Sequence, residues 1–154
     1  MLSFLSRVRV QRERCVLTEK RGEAISNSGV QPFKVSLFSF GFKHGAPVAD
    51  LVWDVRFLPN PYWVAELKER SGLEVDVAAY VLENDTAREF FVLLEPLLLY
   101  LCDHHADGKR GELHIAVGCT GGRHRSVAVV EYLRKFLDRT PYNLNVFHRD
   151  KEKR

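Results

Sequence analysis

The densest chemistry in this sequence is one stretch, Ile115-Ala-Val-Gly-Cys-Thr-Gly-Gly-Arg-His-Arg-Ser126, followed by the apolar run Val127-Ala-Val-Val-Glu-Tyr-Leu133. Leu113, Ile115 and Val117 alternate as a buried strand does. Gly118, Gly121 and Gly122 make a turn with little side-chain bulk, and from Arg123 onward the pattern is helical. A strand, a glycine turn and a helix N-terminus together form an anion cradle. The N–H groups of a first helical turn have no partner within the helix, and the positive end of the dipole faces the same space. Arg123, His124 and Arg125 bring side-chain donors there, and an arginine can grip two phosphate oxygens at once. Cations crowded at the positive end of a dipole are unfavourable without an anion among them. The stretch therefore reads as an oxyanion site, for a phosphate.

The same residues admit a second chemistry. Cys119, Gly122, Arg125 and Ser126 satisfy Cys-x-x-Gly-x-x-Arg-Ser, which resembles the signature loop of cysteine-dependent phosphatases. A Cys119 thiolate at a helix N-terminus beside arginine would have a lowered pKa and could attack phosphorus. Arg125 would hold the phosphoryl oxygens, Ser126 would help the thiolate leave, and Asp54 would be the general acid, from another loop. Gly118 stands where most such enzymes carry histidine. The plain alternative is that Cys119 is a small residue closing a buried strand.

Either chemistry needs a strand ending under the loop, a helix starting over it and a sheet holding both. The 154 residues suffice for one domain with a sizeable core, and 45% hydrophobic with 28% charged residues is ordinary for a soluble globular protein. The net charge of +3 is unevenly spread. Residues 1–22 hold six Lys/Arg against two acids, and residues 134–154 hold seven against three. Basic ends on a near-neutral middle point to a polyanionic partner. Cys15, Cys102 and Cys119 are odd in number and widely spaced, giving neither a disulfide framework nor a zinc spacing. The start lacks a continuous apolar signal region, and the longest apolar run, 90–102, is interrupted by Glu95-Pro96 and too short to cross a bilayer. The expectation is a cytoplasmic protein with no membrane contact.

Residues 1–33, with Gly22, Gly29 and Pro32, read as a basic, poorly ordered or peripheral arm, and 34–154 as the folded body. Val35, Leu37, Phe38, Phe40 and Phe42 make a β-rich run. In 51–57, Leu51, Trp53, Val55 and Phe57 share one strand face and Asp54 and Arg56 the other, until Pro59-Asn60-Pro61 forces a turn. Residues 62–70 and 74–82 read as short helices. Thr86 with Glu89 fits a capping box opening a helix to about His105, in which Pro96 predicts a kink or break. A helix over 123–137 and a strand over 143–147 complete a single compact α/β domain with a small, partly parallel sheet. Its ligands are expected at the carboxyl ends of strands, where the glycine loop falls. Asp54 and Arg56 are either a self-satisfying surface pair or, beside the loop, an anion ligand and its orienter. Lys43-His44 reads as a solvated turn or a ligand pair, and His104-His105 as complements to a helix dipole. His114 reads as sheet-face filler, and no metal site is expected.

Four stretches carry a longer resemblance. Ser39-Phe-Gly-Phe-Lys-His-Gly45, Asp54-Val-Arg-Phe-Leu-Pro-Asn-Pro61, Gly118-Cys-Thr-Gly-Gly-Arg-His-Arg-Ser-Val127 and His148-Arg149 with a basic end follow in order. They make residues 34–154 similar to the C-terminal domain of the RNase adapter protein family, RapZ or YvcJ. Family members also carry an N-terminal kinase-like nucleotide-binding domain. This sequence holds no Gly-x-x-x-x-Gly-Lys-Ser/Thr, so P-loop nucleotide binding is not implied. What the resemblance implies is a phosphate-binding α/β domain, akin to the sugar-phosphate part of phosphofructokinases, that senses an amino-sugar phosphate and binds small regulatory RNA. It implies no cofactor and no catalysis. By motif position Thr120, Gly121, Gly122, Arg123, His124, Arg125 and Ser126 would cradle the phosphate, with the turn of Asn60 and Tyr62 close by; from the residues themselves, Gly118, Cys119 and Arg56 join the expected phosphate site. Arg149, Lys151, Lys153 and Arg154 would match a basic tail, 148–154, used for RNA. A ribonuclease, or a separate chain supplying the kinase-like domain, is the implied protein partner, and homo-oligomers are implied for full-length relatives. The expected function is thus a phosphosugar-sensing, RNA-binding RNase adapter, with a Cys119-dependent phosphatase as the alternative.

Overall fold

The computed structural model describes residues 33–108 and 111–153; the expected N-terminal arm, apart from Phe33, and the tail residue Arg154 lie outside them. The described chain is α/β. It runs β1 (Lys34–Gly41), β2 (Leu51–Asp54), α1 (Val75–Leu82), α2 (Asp85–Asp107), β3 (Glu112–Cys119), α3 (Arg125–Leu137) and β4 (Asn143–His148). The four strands lie in the order β2-β3-β1-β4, and every pairing is parallel, further than the partly parallel sheet expected. From β2 to β3, and from β3 over β1 to β4, the chain advances across the sheet in one direction. Right-handed crossovers then put all three helices on one face. Val35, Leu37, Leu113, Ile115 and Val117 meet Val81, Phe91, Leu94, Leu98, Val129, Val130 and Leu133 there. The return from β1 to β2 has the opposite direction and falls on the other face, where Phe42 and Ala49 pack on Phe38, Phe40 and Ala116. Covered on both sides, the central strands β1 and β3 are buried along most of their length, as parallel strands must be. Their carboxyl ends, Gly41 and Cys119, are register partners, and this is where the glycine loop begins.

Local readings were corrected where non-local partners intervene. The strand expected over 51–57 ends at Asp54, and Arg56 and Phe57 lie in a turn. The helix expected over 62–70 is a short 3-10 turn, Pro61–Trp63, followed by irregular turns. The carbonyls of Lys68, Glu69 and Arg70 accept from His124 and Arg123, which fasten the segment to the residues just before α3. The capping box at Thr86 gives way to Asn84, whose side-chain oxygen accepts from the Ala87 N–H at 3.0 Å, so the cap of α2 lies two residues earlier. Pro96 neither ends nor splits α2. It sits on the exposed face, where water can serve the carbonyl that loses its donor.

Candidate functional site

The glycine loop is shaped by three glycines that touch one another. A Cβ on Gly41 would lie 2.5 Å from the Gly121 carbonyl carbon, and one on Gly122 would lie 2.7 Å from the Gly41 nitrogen. Gly122 has φ +78°, a left-handed conformation that glycine adopts without strain. The Lys43 N–H donates to the Thr120 carbonyl at 3.1 Å, fastening the segment after β1 to the loop. Cys119, 3% exposed, closes β3: its Sγ accepts from the Gly122 N–H at 3.2 Å and lies 3.2 Å from Ser126 Oγ. Helix α3 follows at Arg125, aiming its first-turn N–H groups at the loop.

The three basic side chains at that helix start behave unexpectedly. Arg125 is 6% exposed; its Nη1 donates to the carbonyls of Arg56 (2.6 Å) and Leu58 (3.3 Å), and its Nη2 to Thr120 Oγ1 (3.2 Å). Arg123 donates from Nε to the Arg70 carbonyl at 3.0 Å and from Nη2 to that of Glu69. His124 reaches the Lys68 carbonyl from Nε2 at 3.0 Å, so Nε2 carries the proton. Burial pushes its pKa below the usual histidine range, keeping it neutral at pH 7. These side chains thus clamp two loops, 56–58 and 68–70, against the start of α3. One buried donor among these side chains, Arg125 Nε, has no partner.

The clamped loops enclose a cleft of about 720 Å³. Of the residues expected at the site, Asn60, Tyr62, Cys119, Thr120, Gly121, Arg123, His124 and Arg125 line it; Gly118, Gly122, Ser126 and Arg56 do not. Gly118 is wedged against the Phe40 and Phe42 rings, where a Cβ would come within 2.5 Å, and Ser126 is fully buried behind Cys119. Arg56 is held by Asp54 through Nε and Nη2 and lies over the Phe42 ring at 4.4 Å, so the pair satisfies itself. Lys43, Trp63, Lys68, Glu69 and Lys153 complete the lining. Of these, Lys43 was legible as a turn residue and Lys153 as a tail residue; nothing local marks Trp63, Lys68 or Glu69.

Lys153 reaches the cleft because the tail folds back around Asp150, which is fully buried. Its Oδ2 accepts from the Gly41 N–H (2.8 Å) and from Arg149 Nε (3.0 Å) and Nη2 (2.6 Å), and its Oδ1 pairs with Lys153 Nζ at 2.7 Å. Burial alone would raise the Asp150 pKa, but Arg149, the Gly41 N–H and Lys153 outweigh it and hold the carboxyl well below the carboxylate range. Arg149 also donates to the Gly45 carbonyl at 2.7 Å, and Lys151 pairs with Glu152 at 3.3 Å. The basic end is therefore in part an internal ion-pair cluster fastened to the end of β1.

Comparison with known proteins decides the kinship. A family model described as the RapZ C-terminal domain matches residues 33–152. The chain belongs to this family. A nucleotide-binding protein of Bacillus cytotoxicus is 45% identical over 139 residues, 90% of this chain and 47% of that protein. One from Caldicellulosiruptor bescii is 48% identical over 120 residues, 77% of this chain and 41% of its own length. The chain spans less than half the length of these curated relatives. In the RapZ C-terminal domain seen here, the geometry does not favour phosphatase chemistry. Hydrogen bonding from Arg56 lowers the Asp54 pKa, the wrong direction for a general acid, and Asp54 is outside the cleft. The Phe40 and Phe42 rings leave no room at position 118 for the histidine of such enzymes. Among the described residues of the domain, no three His, Cys, Asp or Glu side chains gather as a metal site, and no helix is long and apolar enough to cross a membrane.

Proposed function

We propose that the domain is a regulatory module that binds a phosphorylated small molecule of the amino-sugar phosphate kind in the cleft over the glycine loop, and serves as an RNA-binding adapter for a ribonuclease in the cytoplasm. The observation that carries the phosphate reading is Arg125, a buried guanidinium lining the cleft with its Nε unpartnered. A buried donor without an acceptor costs about 1–3 kcal/mol, which an oxyanion would recover. Lys43, Lys68, Arg123, Arg125 and Lys153 face one carboxylate, Glu69, so the cleft attracts anions, and the α3 N-terminus adds its dipole.

Calorimetric titration with an aminohexose phosphate and with inorganic phosphate tests this. Lys43→Ala, which alters an exposed side chain, should weaken binding about fivefold. Arg125→Ala should weaken it roughly thirty- to a hundredfold. Thermal melting of each variant separates lost binding from lost folding. Affinity equal to the parent's in folded Lys43→Ala and Arg125→Ala removes the assignment.

RNA binding rests on membership of the family and on the basic end. With single-stranded RNA, each phosphate neutralised contributes roughly −0.7 to the slope of log affinity against log salt, so deleting 151–154 should make the slope shallower by about one unit. Because Lys153 lines the cleft, the same truncation should also weaken phosphosugar binding. Identical salt slopes for the two chains would leave the tail no part in RNA contact.

A further inference from the structure

The cleft is lined by two aromatic rings, Tyr62 and Trp63, that a phosphate alone does not use. Trp63 lines the cleft and is 80% exposed, although tryptophan is a residue that folding normally covers. Its edge meets Tyr62 at a centroid distance of 5.2 Å, and Lys68 Nζ lies 4.8 Å over the Tyr62 ring. Tyr62 is thus partly taken, and the indole is the broad apolar surface left open. It is displayed on a fixed turn. Pro61 opens the turn, the Tyr62 N–H is received by Asn60 Oδ1 at 3.4 Å, and the Trp63 N–H by the Asn60 carbonyl at 3.3 Å. The segment just before it is clamped to the cradle, since Arg125 holds the Leu58 carbonyl. Indole and phosphate cradle therefore belong to one fixed clamp.

We infer that the cleft takes a nucleoside 5′-monophosphate unit, with its phosphate in the 119–125 cradle and its base stacked on Trp63. This rests on the reading of the cleft as a phosphate site; a nucleotide and an amino-sugar phosphate would compete for the one cradle, and Trp63 would favour the nucleotide. The volume falls in the range of about 300–1,000 Å³ typical of small-molecule sites, more than a bare phosphate needs. Cationic side chains beside an exposed aromatic ring are the combination that holds nucleotides by charge and stacking, tolerant of base identity. The same unit occurs as a free nucleotide and as the 5′-phosphorylated end of an RNA strand.

The test compares adenosine 5′-monophosphate with ribose 5-phosphate, which lacks only the base, against the parent chain, Trp63→Ala and Trp63→Phe. The exposed indole can be removed without opening the core. Stacking predicts that the nucleotide binds about five- to a hundredfold tighter than ribose 5-phosphate. Trp63→Ala should abolish that margin with ribose 5-phosphate affinity unchanged, and Trp63→Phe should restore part of it. A second arm uses short single-stranded RNA with a 5′-phosphate or a 5′-hydroxyl. Preference for the 5′-phosphate, dependent on Trp63, assigns the unit to an RNA end; nucleotide binding with no difference between the two RNAs assigns it to a free nucleotide. Equal affinity for nucleotide and ribose 5-phosphate, or a margin that survives Trp63→Ala, overturns the inference while leaving the phosphate site standing. Binding of neither, nor of inorganic phosphate, overturns both.

Discussion

Arg125 joins two loops to a helix start while keeping one donor free, so the residue that makes the motif chemically suggestive is also a structural fastener. The sequence displayed its type and spacing; its carbonyl partners, nearly seventy residues away in the chain, could not be read from any local pattern. Asp150 was missed for the same reason. It looked like one acid in a basic tail, and only the fold makes it the buried centre of Gly41, Arg149 and Lys153. Asp150→Asn should weaken the charge-assisted bonds from Gly41, Arg149 and Lys153 and cost about 1–3 kcal/mol in urea unfolding; a change within 0.5 kcal/mol, the usual range for a surface substitution, would contradict the buried cluster. Histidines supply a pH prediction. Burial lowers the pKa of His124, and also that of His148 despite the opposing pull of Glu131. Both take a proton less readily in the native state than in the unfolded chain, where histidine titrates near pH 6.5. Stability should therefore fall as pH drops from about 7 to 5, a window above the titration of unfolded carboxylates. Asp150, whose pKa is depressed, adds a further loss only below about pH 4. Thermal melts at pH 7.5 and 5.5 check the first step; an unchanged or higher midpoint at pH 5.5 would rule it out.

At the scale of elements, the strand, glycine turn and helix of the cradle were legible because each leaves a strong local mark: apolar alternation, clustered glycines, then an apolar helical face. The segment 62–70 was not, since Arg123 and His124, distant in the chain and just before α3, hold the carbonyls of Lys68, Glu69 and Arg70. The cradle depends on backbones approaching without side chains between them. Gly41→Ala should push Gly121 and Gly122 outward, costing roughly 1–3 kcal/mol as overpacking does and weakening phosphate binding together with stability. Full phosphate affinity in that variant would mean that the loop shape is unimportant. Pro96 gives the opposite sign. It sits in the exposed interior of an unbroken helix, so Pro96→Ala should stabilise the fold by about 2 kcal/mol, the helix gain less the loss of a stiff unfolded chain. An unchanged urea midpoint would show that water serves the freed carbonyl at no cost.

For the whole molecule, alternating strands and helices announced an α/β sheet, and the rule that ligands bind beyond strand carboxyl ends placed the site at the glycine loop. Strand order and register were not legible, because nothing in β1 states that it lies between β3 and β4. That order brings together what the sequence scatters. Lys43 follows β1, Asn60 to Trp63 follow β2, the glycine loop follows β3 and Lys153 follows β4, so the cleft draws one contribution from the end of each strand. Membership of the RapZ C-terminal domain family covers these same elements.

The central claim is that this convergence binds phosphate, and backbone amide shifts on titration with inorganic phosphate test it most directly. Saturable shifts should concentrate at Gly121 and in 123–126, with smaller ones near Lys43 and Lys153 and none along α2. Shifts confined to residues outside the cleft, or no saturable shift in the glycine loop, would contradict the account.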